Sequence, residues 1–141
     1  MKRFFLLTLL CALLLTACGS KYDRISQELG VDVDSGQVLY EDDTHGGFHN
    51  DGLLRLKIKL PEGTILPQEW ESLPLSDEAA QASQLTEELT DFFPQLTEGR
   101  WLLIDRNQGQ PGALIDRGYD NFTLALFDPA SQTLWYCALD T

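Results

Sequence analysis

The chain has 141 residues, enough for one domain, and it carries 22 acidic side chains against 10 basic ones. So large an acidic excess argues against nucleic acid as a partner, because its phosphates must be neutralised by Lys and Arg. It also argues against adhesion to anionic lipid through a basic patch.

The first seventeen residues have the pattern of an export signal. Lys2 and Arg3 provide positive charge, and residues 4–15 form an apolar run interrupted only by Thr8. The run is too short for a transmembrane helix, and small residues follow it. The sequence therefore predicts a secretory signal peptide at 1–17.

The end of this signal is more specific, because Leu15-Thr16-Ala17-Cys18 resembles the lipobox of bacterial lipoproteins. The resemblance implies cleavage before Cys18 and a lipid anchor on that residue; the alternative is an ordinary secreted protein. The expected organisation is a signal peptide at 1–17, a lipidated Cys18 with a short tether at 18–22, and a single domain at 23–141. The expected location is the extracytoplasmic face of the cell membrane, or an outer membrane where one exists.

Cysteine use limits the covalent chemistry of the mature chain. Cleavage removes Cys11, lipidation consumes Cys18, and Cys137 is left without a partner for a disulfide. Cys137 lies in an apolar strand-like segment, so we expect a small buried hydrophobic side chain and not a nucleophile.

Local patterns predict the first half of the fold. A short helix is expected at 22–30 and a strand at 37–41. Residues 54–60 alternate strictly between apolar and basic side chains, which predicts a strand with Leu54, Leu56, Ile58 and Leu60 facing inward. The basic face (Arg55, Lys57 and Lys59) fits an edge strand or pairs with carboxylates, and the alternative is a docking patch for an acidic partner.

The second half is expected to supply one main helix and most of the sheet. Ser76 is suited to cap a helix over 76–93, with a break near Ser83 allowed, and an apolar stripe predicted as core is formed by Leu85, Leu89, Phe92 and Phe93. Strands are predicted at 100–106, more weakly at 114–117, and in a hairpin at 121–128 and 133–140. The predicted fold is α+β, a mostly antiparallel sheet of five to six strands with a short N-terminal helix and the main helix on one face.

Both histidines lie in the stretch from Asp43 to Gly52, and three interpretations are open. Structurally, Gly46 and Gly47 would form a turn, with Phe48 folded onto the core. Chemically, the candidate ligand-binding residues are Asp43, His45, His49 and Asp51, with a divalent metal possible on His45, His49 and Asp43. A hydrolase would use His45 or His49 as its base, oriented by Asp42, Asp43 or Asp51, but no nucleophile is evident.

The same stretch resembles a D-T/S-H-G-G-F-H-G-D-G motif of small secreted or lipidated proteins, mostly from Gram-positive bacteria. Residues 121–128 and Leu134-Trp135-Tyr136 resemble the end of those proteins, and Asn50 stands where the motif has Gly. The proteins are uncharacterised, so the resemblance implies no activity, cofactor or catalytic residue.

The combined prediction is a membrane-anchored lipoprotein that acts as a binding or interaction module, with an envelope protein or a small ligand as its partner and no cofactor. One alternative is a metal-dependent envelope enzyme built on His45 and His49. Another is an inhibitor or immunity-type lipoprotein, which sequence does not separate from the first interpretation.

Overall fold

The computed structural model describes residues 19–107, 114 and 121–141. Within them the helices are α1 (Lys21–Leu29), α2 (Asp77–Ser83) and α3 (Glu87–Phe92). The strands are β1 (Gln37–Asp43), β2 (Gly52–Lys59), β3 (Glu71–Ser72), β4 (Arg100–Asp105), β5 (Phe122–Asp128) and β6 (Thr133–Asp140).

All six strands form one antiparallel sheet in the order β1-β2-β6-β5-β4-β3. The predicted α+β class is confirmed. The predicted hairpin is confirmed as β5 and β6, which occupy the centre of the sheet. Both strands are buried on both faces except at their last residues, which is what a central position requires.

Strand β2 shows why its strict alternation was informative. Its even-numbered apolar side chains face α1, and Leu56 and Ile58 are completely buried there. The expectation that β2 lies at an edge is wrong, because β1 pairs with one side of β2 and β6 with the other. Arg55 on the opposite face instead donates to Asp42 on β1 at 2.7 Å.

The sheet carries an apolar cluster on each face. On one face, Ile25 and Leu29 of α1 pack with Leu56 and Tyr136. On the other, Ala79 of α2 and Leu89 of α3 pack with the opposite side chains of β5 and β6. The predicted short N-terminal helix and the predicted main helix region lie on opposite faces of the sheet, because the central strands present apolar side chains in both directions.

Helix α1 is bounded by strong local signals. Ser20 and Asp23 form a reciprocal capping box at its start, and Gly30 ends it in the left-handed conformation with φ 66°. Its C-terminal end is fixed by Trp70, whose indole Nε1 donates to the carbonyl of Leu29 at 3.1 Å. The helix begins at Lys21, inside the segment that was predicted as a tether.

The predicted main helix is divided into α2 and α3. Ser76 caps α2 as expected, and Thr86 caps α3 by accepting a hydrogen bond from the backbone N–H of Leu89. A second N-cap residue inside a helical stretch favours a new helix start over continuation. The predicted stripe is core, with Leu89 and Phe93 buried and Leu85 and Phe92 partly buried.

Two elements of the sheet differ from expectation. The weak strand predicted at 114–117 lies outside the described residues except for Leu114, which is buried in a turn. The edge of the sheet beside β4 is formed by β3, whose two residues are too few to give a periodic signal. None of the described helices is both long and apolar enough to cross a bilayer.

Replacing Leu56 with Ala tests the core. Leu56 is fully buried between α1 and the sheet, so the variant should lose about 2–5 kcal/mol of unfolding free energy, measured by urea denaturation. Lys59→Ala, on the exposed end of the same strand, should change stability by no more than about 0.5 kcal/mol. Equal effects of the two substitutions would contradict the described burial of β2.

Candidate functional site

The turn between β1 and β2 is tied together at its base. Thr44 donates its backbone N–H to the carbonyl of Leu53 at 3.0 Å, and its hydroxyl oxygen accepts from the N–H of Leu53 at 2.9 Å. Beyond this base, Gly47 and Asn50 have positive φ angles of 74° and 58°. These are the conformations for which Gly and Asn are suited, so the sequence determines the turn locally.

Gly52 allows this turn to close tightly against His45. A Cβ atom at position 52 would lie 2.5 Å from the backbone nitrogen and Cα of His45, closer than any side chain permits. The absence of a side chain at Gly52 therefore brings the His45 backbone against β2 and directs its ring toward the end of β6.

The His45 ring lies between two carboxylates. Its Nδ1 is 2.7 Å from Asp43 Oδ1, and its Nε2 is 2.9 Å from Asp140 Oδ2. Ionised carboxylates only accept hydrogen bonds, so both ring nitrogens donate when the imidazole is protonated. This geometry favours the imidazolium form over either neutral tautomer.

The pKa values agree with that assignment. Burial is the largest single influence on His45 and lowers its pKa, but the hydrogen bonds and charges of Asp43 and Asp140 together outweigh it. The net result is a pKa of His45 raised above its ordinary value of 6.5. The hydrogen bond from His45 in turn lowers the pKa of Asp43.

Asp140 extends the network across the sheet. Its other oxygen is 3.0 Å from Nη1 of Arg106, which follows β4. Nη2 of Arg106 donates to the carbonyls of Leu139 and Phe122 at 2.6 and 3.1 Å. The guanidinium therefore joins the ends of β4, β5 and β6 and holds the carboxylate that faces His45.

A second acidic group enters from α1. Glu28 accepts from the hydroxyl of Tyr136 at 2.9 Å and from the hydroxyl of Thr123, whose side chain is fully buried. Burial, followed by the charge of Glu28, raises the pKa of Tyr136. These hydrogen bonds satisfy the two hydroxyls that β5 and β6 present to α1.

These groups surround a pocket of about 390 Å³ between α1 and the end of the sheet, which we call the α1 pocket. Ile25, Leu54 and Ala138 form its apolar wall. The remaining lining residues are polar or charged: Lys21, Arg24, Glu28, Asp43, His45, Asn50, Arg106, Tyr136 and Asp140.

The arrangement is poorly suited to catalysis by His45. A general base needs a free imidazole nitrogen, and both nitrogens of His45 face carboxylates. The two carboxylates lie on opposite sides of the ring, and no three His, Cys, Asp or Glu residues in the described chain form a group able to hold a metal ion. Cys137 is buried, and burial raises the pKa of its thiol to about 12, as expected for an inert side chain.

Only part of the predicted site comes together. Asp43 and His45 line the α1 pocket, whereas Asp51 forms a backbone bridge with Gly46 outside it. His49 is exposed and packs its ring edge-on against Phe48. The expectation that Phe48 folds onto the core is wrong, because its side chain is 98% exposed.

Sequence reasoning did not find Asp140, Arg106 or Glu28. Asp140 is separated from His45 by 95 residues, and no local pattern reports a contact of that length. Glu28 did leave a signal, since it precedes Leu29 on the buried side of an amphipathic helix. An acidic residue there, with a Thr and a Tyr in otherwise apolar strands, indicates a buried hydrogen-bonded group.

Comparison of the chain with protein-family models, with curated proteins and with solved structures finds no match.

Replacing His45 with Gln tests the charge of the ring. We expect a loss of about 1 kcal/mol of unfolding free energy, as for a partly exposed ion pair. Because the folded pKa is raised, the loss should be fully present below pH 6.5 and should shrink as pH rises through the folded pKa. It should also shrink below pH 3.8, as Asp43, whose folded pKa is lowered, becomes protonated.

Urea denaturation of both proteins over a pH series measures this difference. His49→Gln serves as the matched control, since that ring packs only on the exposed turn, and it should leave stability unchanged. A His45→Gln difference that does not fall above pH 6.5 would show that the wild-type ring is not charged in the folded protein.

Proposed function

We propose that the protein is a lipid-anchored extracytoplasmic binding module whose α1 pocket takes a small ligand carrying an anionic group together with a cationic or hydrogen-bond-donating group. The observation that carries this proposal is the guanidinium of Arg24 at the edge of the pocket. In the described residues it has no acidic partner, although the chain carries a net charge of −12.

The surroundings of Arg24 support an anionic ligand group. The other cations of the pocket are paired: Arg106 and His45 contact Asp140, and Lys21 contacts Glu41. Arg24 is exposed and offers a planar, bidentate donor that matches a carboxylate or a phosphate. An anionic group at the pocket edge would therefore form a pair that the protein itself leaves unmade.

The acidic residues of the pocket support a positive or donating group on the same ligand. Glu28 and Asp43 line the pocket and retain carboxylate lone pairs beyond the hydrogen bonds they accept. The apolar wall of Ile25, Leu54 and Ala138 suits a short hydrocarbon part between the two. A small zwitterion, such as an amino acid, combines these features in a volume typical of small-molecule sites.

Binding has better support than hydrolysis because of how His45 is used. Its ring contacts Asp43 at the end of β1 and Asp140 at the end of β6 and so serves to shape the pocket. A hydrolase would require that ring to be released from one carboxylate and a nucleophile to be supplied near it.

The anchor rests on the lipobox and on the position of α1. Gly19 and Ser20 alone separate Cys18 from this helix, and Ser20 is its N-cap. Two acyl chains buried at about 0.8 kcal/mol per methylene would hold such a protein stably on a bilayer. The α1 pocket would then operate close to the membrane surface.

Replacing Cys18 with Ser tests the anchor. The wild-type chain expressed in a bacterium should sediment with membranes and should carry a diacylglycerol mass on its N-terminal Cys18. The variant cannot form the thioether, so most of it should lose this modification and stay unprocessed or become soluble. Equal modification and equal membrane retention of both chains would contradict a lipoprotein.

Replacing Arg24 with Ala tests the pocket. We expect at least one member of a panel of amino acids, short dipeptides and small phosphorylated amines to stabilise the wild-type chain, by about 2.7 kcal/mol at a concentration 100 times its Kd. Arg24→Ala should weaken that binding about tenfold, or 1.4 kcal/mol. Thermal shift identifies the ligand and calorimetry gives the affinity.

Lys59→Ala is the matched control for Arg24→Ala, because it also removes one positive charge. Lys59 is the last residue of β2, at the end of the strand away from the α1 pocket. It should leave the affinity unchanged. A panel without any stabilising member, or equal affinities of the Arg24 and Lys59 variants, would contradict the proposed pocket.

A further inference from the structure

The tip of the β1–β2 turn projects away from the rest of the protein. Every residue from Gly46 to Asp51 is exposed, and an added Cβ on Gly47 would meet no atom within 4 Å. Phe48 at this tip is 98% exposed, and its ring lies edge-on to that of its neighbour His49, at a centroid distance of 5.3 Å.

One exposed aromatic side chain needs no explanation by itself, because folded proteins expose many apolar atoms. What makes Phe48 informative is its position relative to the start of α1. Lys21 and Tyr22, in the first turn of α1, both donate to Glu41 of β1, the Tyr22 hydroxyl at 2.6 Å. Lys21 and Asn50 also line the same pocket. The turn and the start of α1 therefore lie at the same pole of the molecule.

That pole is the one that the proposed lipid anchor would hold against the bilayer. The chain between Cys18 and Lys21 can span no more than about 11 Å. We infer that Phe48 inserts into the interfacial region of the bilayer that carries the lipidated Cys18, as a second contact that orients the domain. This inference rests on the anchor part of the proposed function.

The chemistry of the tip fits a lipid interface better than it fits a protein groove. Phe48 is flanked by His49 and Asn50, whose polar groups would remain among the headgroups while the ring enters the acyl boundary. The carboxylates of Asp42, Asp43 and Asp51 near the turn would be repelled by anionic lipid. We therefore expect insertion into zwitterionic phosphatidylcholine.

The opposite pole supplies a matched control. Strand β2 carries the chain over eight residues, about 26 Å, to the loop that contains Ile65, whose side chain is 87% exposed. Ile65 thus resembles Phe48 in exposure and apolar character but lies at the end remote from α1's start. A membrane contact by Phe48 predicts that Ile65 stays in water.

The test uses the full chain, expressed in a bacterium, purified from its membranes and reconstituted into phosphatidylcholine vesicles. Phe48→Trp and Ile65→Trp each add one exposed indole to a protein whose own tryptophans (Trp70, Trp101 and Trp135) are buried. We expect the emission of the Phe48→Trp protein to shift to shorter wavelength on vesicles and to be quenched by lipids brominated high on their acyl chains. The Ile65→Trp protein should show neither change.

The outcomes separate this inference from the function on which it rests. If the mass of the N-terminal peptide shows no lipid on Cys18, the proposed lipid anchor and the membrane contact by Phe48 are both overturned. If Cys18 is lipidated but the indole of Phe48→Trp is no more shielded or quenched than that of Ile65→Trp, only the contact by Phe48 is overturned. Shielding of position 48 in native envelopes but not on pure lipid would assign the tip to a protein partner and would equally overturn a bilayer contact.

Discussion

The fold depends on one constraint, which is that β5 and β6 carry apolar side chains on both faces. Leu124 and Cys137 face one way and Ala125 and Leu134 the other, all essentially inaccessible to solvent. A sheet of this kind is stable only when both faces are covered. Helix α1 covers one face and the pair α2 and α3 covers the other, so all three described helices are placed by the same requirement.

The candidate pocket is a consequence of that placement. To cover its face of the sheet, α1 buries Ile25 and Leu29, which brings Glu28 onto the hydroxyls of Tyr136 and Thr123. The first two turns of the helix, the end of β6 and the β1–β2 turn then enclose a space beside His45. Lys21, His45 and Arg106 each contact a carboxylate, whereas Arg24 contacts none within the described residues, and for this reason the proposed anionic group is placed against Arg24.

Local features of the fold could be predicted from sequence, whereas long-range features could not. Three such local features are the alternation of β2, the Ser76 cap and the β5–β6 hairpin. Each of them depends on residues that are close together in sequence. The pairing of β2 with β6 involves residues about 80 positions apart, and nothing near Arg55 indicates it. In the candidate site, Asp43 and His45 could be predicted to lie together because they are two residues apart. Asp140 could not, because it is 95 residues from His45. The expectation that Phe48 folds onto the core fails because a turn sequence does not determine the direction in which a side chain at its tip points.

The His45 clamp and the exposed Phe48 belong to one mechanical unit. Thr44 and His45 fix the base of the turn to Leu53 and Asp140, so the backbone that carries Phe48 leaves the sheet from a rigid support. Beyond that support, the positive φ angles of Gly47 and Asn50 and the backbone bridge between Gly46 and Asp51 give the tip its shape. A contact made by Phe48 would therefore transmit its orientation to β1, β2 and β6, and hence to the α1 pocket that these strands help to form. Deprotonation of His45 would leave one N–H to serve two carboxylates and would remove the positive charge between them, so the link between the tip and the pocket should weaken as pH rises through the raised pKa of His45.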